Sequence, residues 1–291
     1  MKRPFNIVVL LLAALLATAC TLTNLAYSNV GLAYSNAPPM FSWMVADYVD
    51  MSDDQKEFVR DRVSRAFAWH RAQELPEYHR FFQKVLAQSE DSISVEEAAI
   101  DHRELRSYYH RAVERLLPDM ADFLLQLDSL QVKRLEQRFN KDNRKIVGDA
   151  TEGSHEERQE KRLERFLAHL EQFTGTLNDA QRAIVSAYLA TQSELVDERL
   201  ADRRYRQSSV LALVRSKPTR EEAVAELRRL FIDTESWRNA DYQKKLRTRD
   251  AQLFDLIARL SASLSAEQRG AFQRRIRGFL RDITDITASR N

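Results

Sequence analysis

The sequence predicts an all-α protein, an elongated multi-helix chain built of helical hairpins in two helical halves. Three observations carry that prediction. Apolar residues recur at spacings of three and four through most of the chain after residue 51, the period of amphipathic helices. Helix breakers are scarce, with 6 Gly and 6 Pro in 291 residues, about 2% each against the usual ~7% and ~5%. Six short segments have the residues of a helix start. No alternating run of useful length suggests a strand.

The chain begins with an export signal. Lys2 and Arg3 precede a uniformly apolar run from Ile7 to Leu16. Ten residues are too few for a bilayer core of about 30 Å, which takes roughly 20, but they suit a secretory signal. Ala17-Thr18-Ala19-Cys20 follows, and it resembles the bacterial lipobox. The resemblance implies cleavage after Ala19, a diacylglycerol thioether on Cys20 and acylation of the new amine. An ordinary cleaved signal with a cysteine at its end is the alternative. Cys20 is the chain's only cysteine, which excludes a disulfide framework and a Cys-rich metal site. Several acyl chains give stable anchoring at ~0.8 kcal/mol per buried methylene. Thr21 stands where an Asp usually marks inner-membrane retention, so the expected address is the outer membrane, facing the periplasm.

Residues 20–50 read as the lipidated cysteine and an uncharged tether, since no charged side chain occurs before Asp47 once the signal is passed. Leu25-Ala-Tyr-Ser-Asn29 recurs as Leu32-Ala-Tyr-Ser-Asn36. The tether is either a spacer or a segment that packs on the membrane or on its own domain through Tyr27, Tyr34, Phe41 and Trp43.

The helical body divides into a first half over 51–147, a connector over 148–156 and a second half over 157–291. Val59, Val63 and Phe67 make one apolar stripe. Leu163, Phe166, Leu167, Leu170 and Phe173 make another, Leu253, Leu256, Ile257 and Leu260 a third, and Phe272, Ile276, Phe279, Leu280 and Ile283 a fourth. Pro76, Pro118 and Pro218 mark helix starts or breaks. The stretch from Lys141 to Glu157 is polar, lacks a large apolar residue after Val147 and holds Gly148 and Gly153, which makes it the expected connector.

Four segments share one form: Met51-Ser-Asp-Asp-Gln55, Leu127-Asp-Ser-Leu-Gln131, Leu177-Asn-Asp-Ala-Gln181 and Leu264-Ser-Ala-Glu-Gln268. Ser52, Asp128, Asn178 and Ser265 are placed to accept a backbone N–H at a helix start. Gln55, Gln131, Gln181 and Gln268 are placed to return the bond to the cap residue's own N–H, a capping box. Ser94 with Glu97 and Thr219 with Glu222 repeat the device. The first two Gln segments stand 76 residues apart and the last two 87, which suits a duplicated half.

These segments resemble the LTxxQ motifs of Spy/CpxP-type periplasmic proteins, all-helical ATP-independent chaperones or stress-signalling modulators. A second run, Trp69-His70-Arg71-Ala-Gln-Glu74-Leu75-Pro76-Glu-Tyr78, resembles a block found in a family of uncharacterised Gram-negative lipoproteins that carry a lipobox, a tether and LTxxQ-like helix starts. That resemblance implies location and fold but no activity. Physically, Trp69, His70, Arg71, Glu74, Pro76 and Tyr78 form either a helix corner, with its aromatics in the core and a cation paired to a carboxylate, or a polar binding pocket at that corner.

No pattern for catalysis is present. The six histidines form neither HxxxH nor HExxH, and there is no GxSxG, P-loop or GxGxxG. No metal site and no cofactor are expected. Basic clusters such as Arg203-Arg204-Tyr-Arg206 interleave with acids and read as solvated faces, so nucleic acid is not an expected partner. The net charge of +2, from 45 basic and 43 acidic residues, is wholly Lys2 and Arg3, which leave with the signal. The expected partners are the bilayer, through acylated Cys20, and envelope proteins. The function these features favour is a non-enzymatic, membrane-anchored helical protein that binds other proteins in envelope maintenance, chaperone-like or scaffolding. A module for lipid, lipopolysaccharide or cell-wall material is the first alternative, and a hydrolase with an unrecognised site the second.

Overall fold

Local capping chemistry places the helix starts. A computed structural model describes residue 34 and residues 36–192 and 195–288. Cys20, Tyr27 and the signal segment lie outside the described residues. Among the described residues the regular elements are helical, with no strand. They are α1 (Ala37–Ala46), α2 (Asp53–Trp69), α3 (Leu75–Gln88), α4 (Val95–Leu124), α5 (Ser129–Thr151), α6 (His155–Thr174), α7 (Asp179–Thr191), α8 (Val196–Ser216), α9 (Arg220–Phe231), α10 (Ala240–Ser263) and α11 (Ala266–Ala288). A π-helical turn over His70–Glu74 joins α2 to α3, and a 3-10 turn over Thr234–Ser236 follows α9.

The chain gathers into two compact units. Unit 1 holds the described residues up to Glu74, with Ser107–Ala150 and Val196–Arg238. Unit 2 holds Leu75–Arg106, Thr151–Leu195 and Asn239 onward. The packing units thus differ from the consecutive halves 51–147 and 157–291, because each unit draws on both. The expected connector 148–156 shrinks to residues 152–154. Helix α5 continues to Thr151, and Ser154 with Glu157 forms a capping box that opens α6. The reason lies in Asp142 and Asn143, which are polar yet buried. These two belong to an internal network, and the other polar residues up to Thr151 lie on the solvated side of a continuing helix.

Two further expectations change. The tether ends sooner than residue 50, because Pro38 in the first turn opens α1, whose Ala37, Phe41 and Val45 are buried in unit 1. Proline at a helix start has a preset φ and gives up only an N–H that is orphaned there anyway. Pro118 breaks nothing, whereas Pro76 stands at a helix start as expected. Pro118 sits inside α4, and Pro76 is the second residue of α3, directly after the π turn. A wider turn is a known way to relieve the missing N–H and the clash that proline brings to a helix.

All four Gln segments form capping boxes, and their glutamines do more. In unit 1, Gln55 Nε2 donates to Gln131 Oε1 at 3.1 Å, and Gln131 Nε2 donates to Gln55 Oε1 at 2.6 Å. Each Oε1 also accepts its own cap's backbone N–H, from Ser52 at 3.0 Å and from Asp128 at 3.1 Å. Each Nε2 also donates to the carbonyl just before the partner segment, Gln126 O at 3.2 Å and Asp50 O at 2.7 Å. Unit 2 repeats the whole pattern. Gln181 and Gln268 exchange amide bonds of 2.8 Å, accept from Asn178 N and Ser265 N at 3.0 Å, and donate to Ser263 O and Thr176 O at 2.9 and 2.8 Å. The pairs that join are those whose spacing suggests a duplication.

Each clasp locks two helix starts together with every amide capacity used. The four glutamines are at most 9% exposed, and a buried amide without partners costs about 2–7 kcal/mol by transfer measures. Apolar stripes pack around the clasps. In unit 2, Leu167, Leu177, Val185, Leu189, Leu256 and Leu260 form one cluster, and Phe279 meets Phe82 and Phe173. In unit 1, Val59, Val63 and Phe67 are buried as their spacing predicts.

Gln181 is fully buried. Gln181→Met should therefore destabilise unit 2 by about 2–4 kcal/mol, since it strands the Asn178 N–H, the Ser263 carbonyl and both ends of the Gln268 amide. Native-state hydrogen exchange read on the α7 and α11 amides would measure this. Protection unchanged within 0.5 kcal/mol would contradict it.

Candidate functional site

Unit 1 carries a half-open cavity of about 110 Å³. Side chains from α1, α2, α4, α5, α8 and α9 line it, and its wall is almost wholly apolar. Phe41, Phe58, Phe67, Phe123, Phe139 and Phe231 supply the aromatic part. The helices reach it for the reasons already given. The clasp brings the starts of α2 and α5 together, and the apolar stripe of α2 turns Val59, Val63 and Ala66 to the inside.

The polar residues in its lining are Arg62, Asp119, Arg206 and Gln207. Arg62 Nε lies 3.3 Å from Asp119 Oδ1, and Arg206 Nη2 lies 3.3 Å from Asp202 Oδ2. Asp202 is also gripped in a fork by Arg238 at 2.8 and 3.2 Å. Behind Gln207 runs a buried relay. Arg203 Nε donates to Asn143 Oδ1 at 2.8 Å, and Asn143 Nδ2 donates to Gln207 Oε1 at 2.8 Å. Beside it, Tyr48 donates its hydroxyl to Asp142 Oδ2 at 2.7 Å. Burial, then the carboxylate next to it, pushes the Tyr48 phenol well above its ordinary value. Burial lowers the Arg203 guanidinium below its usual range.

Within the cluster at Arg203, Arg204 and Tyr205 are exposed as expected, but Arg203 itself, 7% exposed, is not part of a solvated face. A signal for this stands in the sequence. Leu200, Arg203, Gln207, Val210 and Val214 are spaced three, four, three and four, and all are buried. Arg203 and Gln207 occupy core positions of an apolar stripe, and the relay is what they do there.

The run from Trp69 to Tyr78 falls at the boundary between the units. His70 and Glu74 are buried, at 1% and 2% exposure, in unit 1. The Tyr34 hydroxyl donates to Phe67 O at 3.2 Å and lies 2.9 Å from His70 Nδ1. Both bonds hold together when Nδ1 carries the proton. Arg111 grips Glu74 in a fork, Nε to Oε1 at 2.9 Å and Nη2 to Oε2 at 3.0 Å. Arg71 lies over the Tyr34 ring at 5.6 Å. Trp69 is half-buried. Pro76 is exposed and Tyr78 buried, both in unit 2. None of Trp69, His70, Arg71 and Glu74 lines the cavity. The tether aromatics divide too: Tyr34 and Phe41 are buried in unit 1, while Trp43 is 65% exposed.

Ser52 and Gln55 meet Asp128 and Gln131, and Asn178 and Gln181 meet Ser265 and Gln268, in the two clasps. Among the described residues no group of three or more His, Cys, Asp or Glu could hold a metal ion. None of the described helices is long and apolar enough to cross a membrane.

Among the described residues, fold and cavity together define an all-helical protein with an apolar cavity whose lining includes Gln207, the last member of the polar relay. Residues 47–243 match the family profile of DUF6279, a family of unknown function, and the chain belongs to that family. No curated protein matches the chain. No solved structure matches it.

His70 gives a pH signature. Burial pushes its imidazole down to about 4, whereas in the unfolded chain it titrates near 6.5. Between those values only the unfolded chain holds the proton. Stability should therefore fall as pH drops through that window, by up to about 1.4 kcal/mol per unit. His70→Gln should flatten this part of the stability profile of unit 1, followed by hydrogen exchange from pH 7 to 4. An identical profile in the variant would refute the assignment.

Proposed function

We propose that the protein is a lipid-anchored, non-enzymatic component of the outer membrane, facing the periplasm, that binds an apolar chain in the cavity of unit 1 as part of envelope maintenance. The cavity is the observation that carries this reading. An engineered cavity of about 150 Å³ lined by Leu, Ile and Phe stays dry and takes benzene-sized ligands. A half-open site of about 110 Å³ lined from six helices suits a stretch of hydrocarbon chain better than a folded partner. This favours lipid as the ligand class. The lipobox-like Ala17-Thr18-Ala19-Cys20 supports the anchor, and Thr21 the outer membrane.

The non-enzymatic reading is supported by how the buried carboxylates are used. Glu74 is held by Arg111, Asp142 by Tyr48, and Asp202 by Arg238. The resemblance of the helix starts to Spy/CpxP-type motifs has a sufficient cause in the clasps, and it adds no activity of its own. A second reading, docking of an envelope protein in a scaffolding or chaperone-like role, is favoured by Met40 and Trp43, which α1 presents at 52% and 65% exposure.

Two measurements test the proposal. Intact mass of the mature protein should show acylated Cys20, and Cys20→Ala should leave the chain unacylated. In nanodiscs, an aryl-diazirine hydrocarbon should photolabel peptides 58–67 and 116–124. Ala66→Leu, which fills the cavity, should cut that labelling about fivefold or more. Equal labelling of these peptides in the variant would refute the cavity as the site.

A further inference from the structure

The outer face of α1 stays bare among the described residues, and its chemistry names what covers it. Apart from the Trp43 indole, Ser42 carries the only polar side chain between Ala37 and Ala46. Its hydroxyl is satisfied inside the helix, donating to Pro38 O at 3.1 Å. A helix apolar on all sides is normally buried on all sides, in a core or in lipid. Here Ala37, Phe41 and Val45 are buried against unit 1, whereas Pro39, Met40 and Trp43 are exposed, Met40 by 52% and Trp43 by 65%. Met40 and Trp43 stand three residues apart and so share a face.

Three features fit that face to a lipid surface. A helix start normally leaves four N–H donors orphaned, which resist leaving water. In α1 two of the four are missing, because Pro38 and Pro39 have no N–H. No charged side chain stands between Cys20 and Asp47 in the sequence, and Asp47 is paired with Arg138 at 2.7 Å. The expected anchor is also close. Tyr34 and Phe41 both pack on Phe67 of unit 1, and Tyr34 stands fourteen residues after Cys20. Fourteen residues span at most about 50 Å, so an acylated Cys20 keeps the face at high local concentration near the bilayer. Tryptophan favours the headgroup level of a membrane. We infer that Pro39, Met40 and Trp43 seat α1 in the interfacial layer of the bilayer, an inference that rests on the lipid anchor proposed above. The opposite face of α1 puts Phe41 and Val45 into the cavity wall. A helix is about 10 Å across with its side chains, so this seating brings the cavity within roughly one helix diameter of lipid.

The test uses the mature full-length protein in phosphatidylcholine vesicles whose acyl chains carry bromine, either near the headgroup or near the chain end. Bromine quenches indole fluorescence on contact, and the Trp43 share of the emission is the part that Trp43→Phe lacks. Trp43 should lose most of its emission to the shallow bromines and less to the deep ones. Met40→Glu puts a charge on the face and should restore that emission. An acid in the first turn of a helix favours the helix, and flotation with the vesicles reports that the anchor still holds. Unquenched Trp43 in protein that floats would overturn the inference, leaving the anchor standing and the face to a protein partner. Quenching that survives Met40→Glu would overturn it as well. Protein that does not float and shows no acyl chain by intact mass would overturn the anchor. The face is then read on that same protein with excess brominated vesicles: quenching that Met40→Glu removes upholds it, and unquenched Trp43 overturns both.

Discussion

The reciprocal pairing of two glutamine amides is the constraint on which each unit depends. Gln55 with Gln131, and Gln181 with Gln268, tie helix starts that are far apart in sequence. Apolar burial supplies the larger energy, about 1.5–3 kcal/mol for each large side chain. It is non-directional, however, and an apolar stripe can slide by a turn against its neighbour and stay buried. A pair of amides joined to each other and to their surroundings by six hydrogen bonds cannot. Its bonds reach the partner's amide, the partner hairpin's backbone and its own cap together, so one register satisfies all of them. Hydrophobic burial makes the units stable, and the clasps make them specific.

Local chemistry was legible in the sequence, and tertiary chemistry only in part. The four helix starts stand in five residues each, so capping could be read directly. The spacing of the segments pointed to the right pairs. That the glutamines would grip one another was not legible, because a capping box alone gives a sufficient reason for each of them. The apolar stripes of α2, α6, α10 and α11 followed from periodicity. The polar part of α5 did not, because Asp142 and Asn143 are buried through polar partners that lie far off in sequence, Tyr48 and Arg203 among them. For the same reason the sequence does not mark Arg203 and Gln207 as core positions: a stripe that contains an arginine and a glutamine no longer looks apolar, although its spacing is intact.

That disguise matters for function. Residues able to act on a ligand are usually sought among exposed or clustered polar groups, such as the Trp69–Tyr78 run. Here the polar groups of that run in unit 1 are engaged in holding the unit together, as in the fork of Arg111 on Glu74. The residues that line the cavity lie instead in stripes such as that of α8, where Gln207 and Val210 stand among apolar neighbours. An apolar cavity, on a chain whose N-terminus resembles a lipidation signal, is what connects the proposed site with the proposed lipid ligand.

The clasp is tested most directly by double-mutant cycles on the whole chain, read by native-state hydrogen exchange in unit 1. Gln55→Met and Gln131→Met, made singly and together, should show a coupling energy of about 1–3 kcal/mol, because each single change strands the partner's amide and the double change removes both. Gln55→Met combined with Gln181→Met should be additive within about 0.5 kcal/mol, since they belong to different clasps. Additivity within the Gln55–Gln131 pair, with no more coupling than in the cross-unit cycle, would contradict the account.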